Sequence, residues 1–305
     1  MCGIIYAKNL KDNSPVNNLI KVLYENQKER GQQGFGFVGL NKERIGTYRA
    51  TDERSIMRYL NERQYDEIVF HHRLPTSTEN TLKSTHPFVI EIADRRYYFV
   101  HNGIVQNADE LKERHAKRGI AYSSEEGDLF NDSEALAWDL CLWLSNRQQK
   151  IEAEGSVAFV CLAVSKKTNR AEKLYFYRNS GAQLKLYRDK TLFLLASEGN
   201  FAPVKESRLY FWDYQERQVR MSKFLDIRSP VSFTFNQYDY RYYDYTPEDE
   251  EQEVEAIIAS LGQERDYLLS IGEYARAEEV EEEIDDLKDQ LRRRRQGYLN
   301  TFYSH

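Results

Sequence analysis

Met1-Cys2-Gly3-Ile4-Ile5-Tyr6-Ala7-Lys8 opens the chain, and the cysteine at its second position decides how the rest is read. A small side chain at position two permits removal of Met1, which leaves Cys2 with a thiol and a free α-amine on one residue. An α-amine titrates near pH ~8, far below a lysine, so it accepts a proton at working pH. The thiol is the most nucleophilic common side chain, and a base on the same residue needs no separate partner. Gly3 beside it lets a substrate approach the backbone closely. The stretch has no charged leader before a long apolar core, so no secretory signal is expected.

Further motifs follow in order. They are Arg30-Gly31-Gln32-Gln33-Gly34-Phe35-Gly36, His71-His72-Arg73-Leu74-Pro75-Thr76-Ser77, His86-Pro87-Phe88, His101-Asn102-Gly103-Ile104 and Asn131-Asp132-Ser133-Glu134. Together with Cys2-Gly3-Ile4-Ile5, this succession over roughly residues 2 to 240 resembles the class II glutamine amidotransferase domain, an N-terminal-nucleophile family. The resemblance implies that Cys2 attacks the side-chain amide carbon of L-glutamine, forming a glutamyl thioester and releasing ammonia. It implies an oxyanion hole from the Asn102 side-chain amide and the Gly103 backbone N–H; losing one such donor typically costs about 3 kcal/mol of barrier. By the same resemblance Arg73 clamps the substrate α-carboxylate, as a planar guanidinium can with two parallel hydrogen bonds. Asp132 holds the α-ammonium, and Thr76 contacts substrate.

Local pattern leaves bland readings open. Arg73 and Asp132 also fit ordinary surface ion pairs. Asn102-Gly103 is a strong turn dipeptide that could join two strands as a hairpin. Most of His71, His72, His86 and His101 are expected to be structural, because the resemblance implies no need of a histidine base. Cys141 and Cys161 read as small buried hydrophobes. Gln33 stands where the family usually has an acidic residue, Gly34 and Phe35 where small residues are usual, and Leu74 where an aromatic or other side chain often lids bound glutamine. Ala196-Ser197-Glu198 resembles the family's late strand-end motif, followed by an unusual Gly199-Asn200-Phe201.

Composition sets outer bounds. The 305 residues are 41% hydrophobic with Tyr 22 and Phe 15, enough for a sizeable core. A net charge of -6 argues against nucleic-acid backbone binding, and no apolar run approaches the ~20 residues of a membrane span. Three cysteines are too few for a disulfide framework, and neither cysteines nor histidines fall at zinc-ligand spacings. A cytoplasmic protein without metal or cofactor is expected. Short apolar runs read as strands at 35–40, 68–71, 97–100, 157–164, 174–176, 184–186, 192–195, 209–212 and 231–235. Helical stripes run through Val16, Leu19, Ile20 and Leu23, and through Leu136, Leu140, Trp143 and Leu144. Runs of strands with helices grouped between them suggest α+β layers, and the resemblance implies the four-layer αββα sandwich of N-terminal-nucleophile hydrolases over residues 1–245.

Residues 246–305 change character. Val254, Ile258, Leu261 and Leu268 share one stripe, Gly272 interrupts, and Val280, Ile284, Leu287 and Leu291 repeat at heptad spacing. A charged helical hairpin or coiled coil is expected. Residues 271–279, continuing through Ile284 and Leu287, resemble the self-pairing hairpin of the excision-repair UvrB and UvrC proteins, which implies self-association through residues 250–292. A plain solvated hairpin folded on its own domain stays open. About sixty such residues cannot house a synthase active site, so the ammonia acceptor is expected on a separate protein. Three alternatives stay open: a hydrolase of another amide, a glutaminase-like regulatory scaffold without turnover, and a structural protein assembling complexes through its helical arm.

Overall fold

The computed structural model describes residues 2–11, 14–42, 44–74, 81–127 and 129–228, with single helical positions between 258 and 289. Thr76, the strand expected at 231–235 and most of the expected hairpin lie outside the described residues. The chain divides into two units, Met1–Gly199 with Pro203–Phe233, and Asn200–Ala202 with Thr234–His305.

Helices and strands run β1 (Gly3–Asn9), α1 (Asn17–Gln27), β2 (Phe35–Leu40), β3 (Ile45–Ala50), α2 (Glu53–Glu62), β4 (Glu67–His72), β5 (Phe88–Ile92) and β6 (Arg95–Val105). They continue α3 (Ala108–Ala116), α4 (Asp132–Leu144), β7 (Gly155–Ser165), β8 (Ala171–Arg178), β9 (Lys185–Arg188), β10 (Leu192–Ala196), β11 (Ala202–Pro203), β12 (Arg208–Asp213) and β13 (Gln218–Phe224). Among the described residues the strands form two sheets, β11-β9-β10-β1-β4-β2-β3 and β13-β12-β8-β7-β6-β5. The long ladders are antiparallel, including β1 with β4 and β10, and β6 with β5 and β7.

The period of two along each strand explains the layering. Ile4 and Tyr6 of β1, Val69 of β4 and Leu195 of β10 share a buried cluster with Tyr98 and Val100 of β6 and with Val160 and Leu162 of β7, so the two sheets pack face to face. The alternate residues turn outward. Tyr97 and Phe99 of β6 and Cys161 of β7 meet Leu136, Leu140 and Cys141 of α4. On the other sheet, Tyr24 of α1 packs edge-on against Phe35 and Phe70 at ring-centroid distances of 5.9 and 5.8 Å. Cys141 and Cys161 are fully buried and free, as small hydrophobes would be.

Two local features were not legible beforehand. α2 buries only Ile56 and Leu60, too narrow a stripe to stand out; Asp52 caps it by accepting the Ser55 N–H at 2.9 Å. The expected strand at 97–100 extends to Arg95–Val105, which places Asn102-Gly103 inside β6, in register with Ala158 and Val157. The hairpin-turn reading of that dipeptide is thereby overturned, because the ladder to β7 continues two residues past Gly103.

In the second unit Leu261, Ala277 and Ile284 are helical and buried, and Arg265 pairs with Glu281 at 2.6 Å. Among the described residues no helix is long and apolar enough to cross a membrane, and no group of three or more His, Cys, Asp or Glu could hold a metal ion.

Candidate active site

Cys2 sits just ahead of β1, and its neighbourhood is fixed by close backbone packing. Gly3 faces His72 across the β1–β4 ladder, and a Cβ on Gly3 would lie 1.8 Å from His72 Nε2. No larger residue fits there. His72 Nδ1 faces the Gly31 carbonyl at 2.7 Å and must carry the ring proton, so Nε2 accepts from Gln27 Nε2 at 2.9 Å. Gln27 also donates to the Ile4 carbonyl at 3.2 Å. Burial lowers His72 to about 4, so the ring stays neutral at physiological pH.

The Cys2 thiol is half-buried and points its hydrogen at the Leu74 carbonyl, 3.7 Å away. Burial raises its pKa; the Leu74 contact and the Arg73 charge pull it back, and Asp132 pushes it up again. The thiol is therefore protonated near neutrality and needs a base before it can attack. The Cys2 carbonyl accepts two hydrogen bonds, from Arg30 Nε at 2.8 Å and from Asn102 Nδ2 at 2.9 Å. Arg30 in turn is ion-paired with Glu198.

Asn102 reaches Cys2 from the opposite sheet and is 3% exposed. Its Nδ2 also donates to Ser197 Oγ at 2.8 Å, while its buried Oδ1 has no hydrogen-bond partner among the described residues. Gly103 has φ 136°, and a Cβ there would lie 1.7 Å from the Ser156 carbonyl oxygen. Its ladder partner Val157 directs both N–H and C=O to Asn179, away from β6. In an antiparallel ladder that leaves the Gly103 N–H on the far edge of β6. Two residues on, the same edge presents the Val105 N–H to Asp132 Oδ2 at 2.7 Å.

Arg73 leaves the end of β4 at 4% exposure, which removes it from the surface ion pairs it could have been. Its backbone bridges Gly34 and Gln33 at 2.8 and 2.9 Å, and its Nη1 donates to Ser84 Oγ at 3.0 Å. Burial lowers the guanidinium pKa, opposed by Cys2 where its thiol ionises and by the Asp132 charge, so the three groups share one electrostatic neighbourhood. Asp132 opens α4, whose cap Asn131 accepts the Ser133 N–H at 2.9 Å and donates to the Ser84 carbonyl, also at 2.9 Å. The structure thus brings Cys2, Arg73, Asn102, Gly103 and Asp132 together; Thr76 is outside the described residues.

Three further groups join them that residue patterns did not single out for a role. Ser84 holds Arg73 from a loop without periodicity, and Ser197 and Arg30 reach Asn102 and the Cys2 carbonyl. For Ser197 and Arg30 the only signal was membership of the quoted motifs. His71, His86 and His101 are buried around this cluster. His71 Nε2 donates to the His101 carbonyl at 3.1 Å, and His101 Nδ1 lies 2.9 Å from Ser133 Oγ. The His71 and His86 rings meet at a tilt, 4.0 Å between centroids, and burial lowers the pKa of His71, His86 and His101.

A half-buried thiol on a strand end, backed by a buried guanidinium and two amide donors, is equipped for acyl transfer through a thioester. A family profile described as class-II glutamine amidotransferases matches residues 45–223, more than half of the 305 residues, and the chain belongs to that family. A curated relative from Acanthamoeba polyphaga mimivirus, a probable glutamine–fructose-6-phosphate aminotransferase (isomerizing), is 23% identical over 188 residues, spanning 59% of this chain and 30% of the relative. Among solved structures, the allosteric regulatory enzyme of purine biosynthesis aligns at TM-score 0.58 and 15% identity over 73% of this chain and 49% of that one. The glutamine phosphoribosylpyrophosphate amidotransferase from B. subtilis aligns at TM-score 0.57 and 16% identity, over 74% and 50%. These likenesses establish a shared fold of two antiparallel sheets with helices. The chain spans less than a third of the curated relative and about half of each solved one.

Proposed function

We propose that this protein hydrolyses L-glutamine to glutamate and ammonia with Cys2 as N-terminal nucleophile after loss of Met1, and hands the ammonia to a separate acceptor enzyme. The observation that carries the reading is the convergence on Cys2 of a buried Arg73 and of Asn102 from the opposite sheet. The α-amine takes the Cys2 thiol proton as Sγ attacks the glutamine side-chain amide carbon. The resulting oxyanion is held by the Gly103 N–H and an Asn102 N–H. Collapse breaks the C–N bond, the amine returns the proton to the leaving nitrogen, and ammonia departs, leaving a glutamyl thioester that water opens to glutamate. Arg73 reads the α-carboxylate and Asp132 the α-ammonium, through the oxygen not bonded to Val105; Thr76 adds a substrate contact.

The printed names of the relatives support glutamine as the amide donor. Supporting an acceptor enzyme, the exposed apolar side chains Leu74, Leu82, Ile104 and Leu129 are close chain neighbours of Arg73, Ser84, Gly103 and Asn131. Residues 1–245 form the glutaminase domain, a cytoplasmic αββα N-terminal-nucleophile hydrolase, and residues 246–305 a charged helical hairpin that docks the partner or a second copy through residues 250–292. The Arg265–Glu281 pair, sixteen residues apart, agrees with two helical arms meeting.

Intact mass before and after exposure to the glutamine analogue 6-diazo-5-oxonorleucine tests the reading. Loss of Met1, a single adduct on Cys2 and ammonia release from glutamine are expected. Retained Met1 with no adduct and no ammonia would contradict it and favour a scaffold without turnover.

A further inference from the structure

Ser197 lies one residue beyond β10, is fully buried, and joins the two sheets at the nucleophile. Its backbone N–H extends the β1–β10 ladder by donating to the Ile4 carbonyl at 3.0 Å. Its Oγ accepts the Ile4 N–H at 2.9 Å from the same sheet, and an Asn102 N–H at 2.8 Å from the other.

The two Asn102 N–H groups are not equally exchangeable. One meets the Cys2 carbonyl, which also holds the Arg30 Nε–H at 2.8 Å and stays satisfied if Asn102 leaves. The other meets Ser197 Oγ, inside the core, where no water can replace it. The amide oxygen is buried and has no partner among the described residues, so none of them fixes the amide plane on that side. An amide turned over would aim an oxygen, in place of a donor, at a developing oxyanion.

We propose that Ser197 is a positioning residue that locks the Asn102 amide with its nitrogen toward Cys2, so that the N–H resting on the Cys2 carbonyl transfers to the oxyanion without the side chain rotating. This inference rests on the glutaminase reading above. Ser197 touches neither the thiol nor substrate; it acts through Asn102, and its effect belongs on kcat rather than on substrate affinity.

The test is steady-state glutamine hydrolysis by the full chain carrying Ser197→Ala, Asn102→Ala or both. Losing an oxyanion donor outright lowers kcat by about 10²–10³-fold. Ser197→Ala should lower kcat at least tenfold with KM within threefold, and should add no further loss in the Asn102→Ala background. Alkylation of Cys2 by iodoacetamide, which builds no oxyanion, should proceed in Ser197→Ala at the wild-type rate. A kcat within twofold of wild type, or losses that multiply in the double variant, overturns the proposal. If Ser197→Ala does not fold, Ser197→Cys substitutes a weaker acceptor of similar size. A kcat at least threefold down at unchanged KM supports the proposal, and wild-type kcat overturns it. Wild-type protein that releases no ammonia from glutamine overturns both this inference and the glutaminase reading; wild-type turnover matched by Ser197→Ala overturns this one alone.

Discussion

Strands β1 and β4 carry a buried polar cluster at each end, and the two are built on opposite plans. At one end Gly3 faces His72; at the other Lys8 faces Glu67. The Glu67 cluster is closed. Lys8 Nζ meets its carboxylate at 2.6 Å, Tyr6 and Tyr214 donate their hydroxyls to it, and Lys8 covers the Tyr214 ring at 4.8 Å. Charge and hydrogen-bond demand are met from within, and burial holds both tyrosines well above their ordinary pKa. The Cys2 end is open. Among the described residues its thiol has one long contact and the Asn102 oxygen has no partner, and a guanidinium is buried beside a thiol that is not ionised. A closed cluster stabilises a fold, whereas an open one stores binding capacity for something that arrives.

That contrast can be broken in order of expected effect. Cys2→Ala should reduce glutamine turnover by about 10⁴-fold or more, since a nucleophile removed takes its whole covalent route with it. Its melting temperature should stay within a few degrees of wild type. Retained turnover would remove the nucleophile from the mechanism. Arg73→Ala should lower kcat/KM for glutamine by roughly 10²-fold or more, at the ~2–5 kcal/mol typical of truncating a buried charged partner. Asp132→Ala should act in the same direction, with most of either effect in KM. Unchanged apparent affinity in both variants would sink the clamp.

The closed end should respond the other way. Glu67→Ala should lower unfolding free energy by about 3 kcal/mol in urea, because Lys8 and two tyrosine hydroxyls lose their shared partner. Its kcat/KM should remain within twofold of wild type wherever the variant is folded. A catalytic defect without a stability loss would reverse the roles assigned to the two ends.

The smallest effect, taken per residue, is in pH. Burial depresses His71, His86 and His101, and lowers His72 to about 4, against about 6.5 in an unfolded chain. The unfolded state then binds more protons below pH ~6.5, so these groups contribute stability above that pH and lose it as pH falls toward about 4. Each can contribute a slope of up to about 1.4 kcal/mol per pH unit in that window. Urea midpoints measured at pH 7, 6 and 5 should fall steadily; a flat series would mean the histidines take up protons in the folded state.

The sequence is most legible where chemistry and chain order coincide. Cys2, Arg73, Asn102, Gly103 and Asp132 lie in short motifs, and the structure brings all five together. Strands such as Phe35–Leu40 show because every side chain in them is apolar or glycine, hence buried. What stayed hidden depends on distance along the chain. Asn102-Gly103 reads as a turn until its ladder with β7 is known. Glu67 looks like an ordinary polar strand residue until Tyr214, 147 positions away, is placed against it. Ser197 gains its meaning only through Asn102, 95 positions earlier. Ser84 has no periodic or motif signal at all, yet it joins Arg73 to the start of α4 through Asn131.

The most direct test of the central claim is mass analysis of the N-terminal peptide from protein mixed with glutamine and quenched in acid during turnover. The account predicts a peptide that begins at Cys2 and carries a glutamyl group on its sulfur. A peptide still beginning at Met1, unmodified while ammonia accumulates, would contradict it.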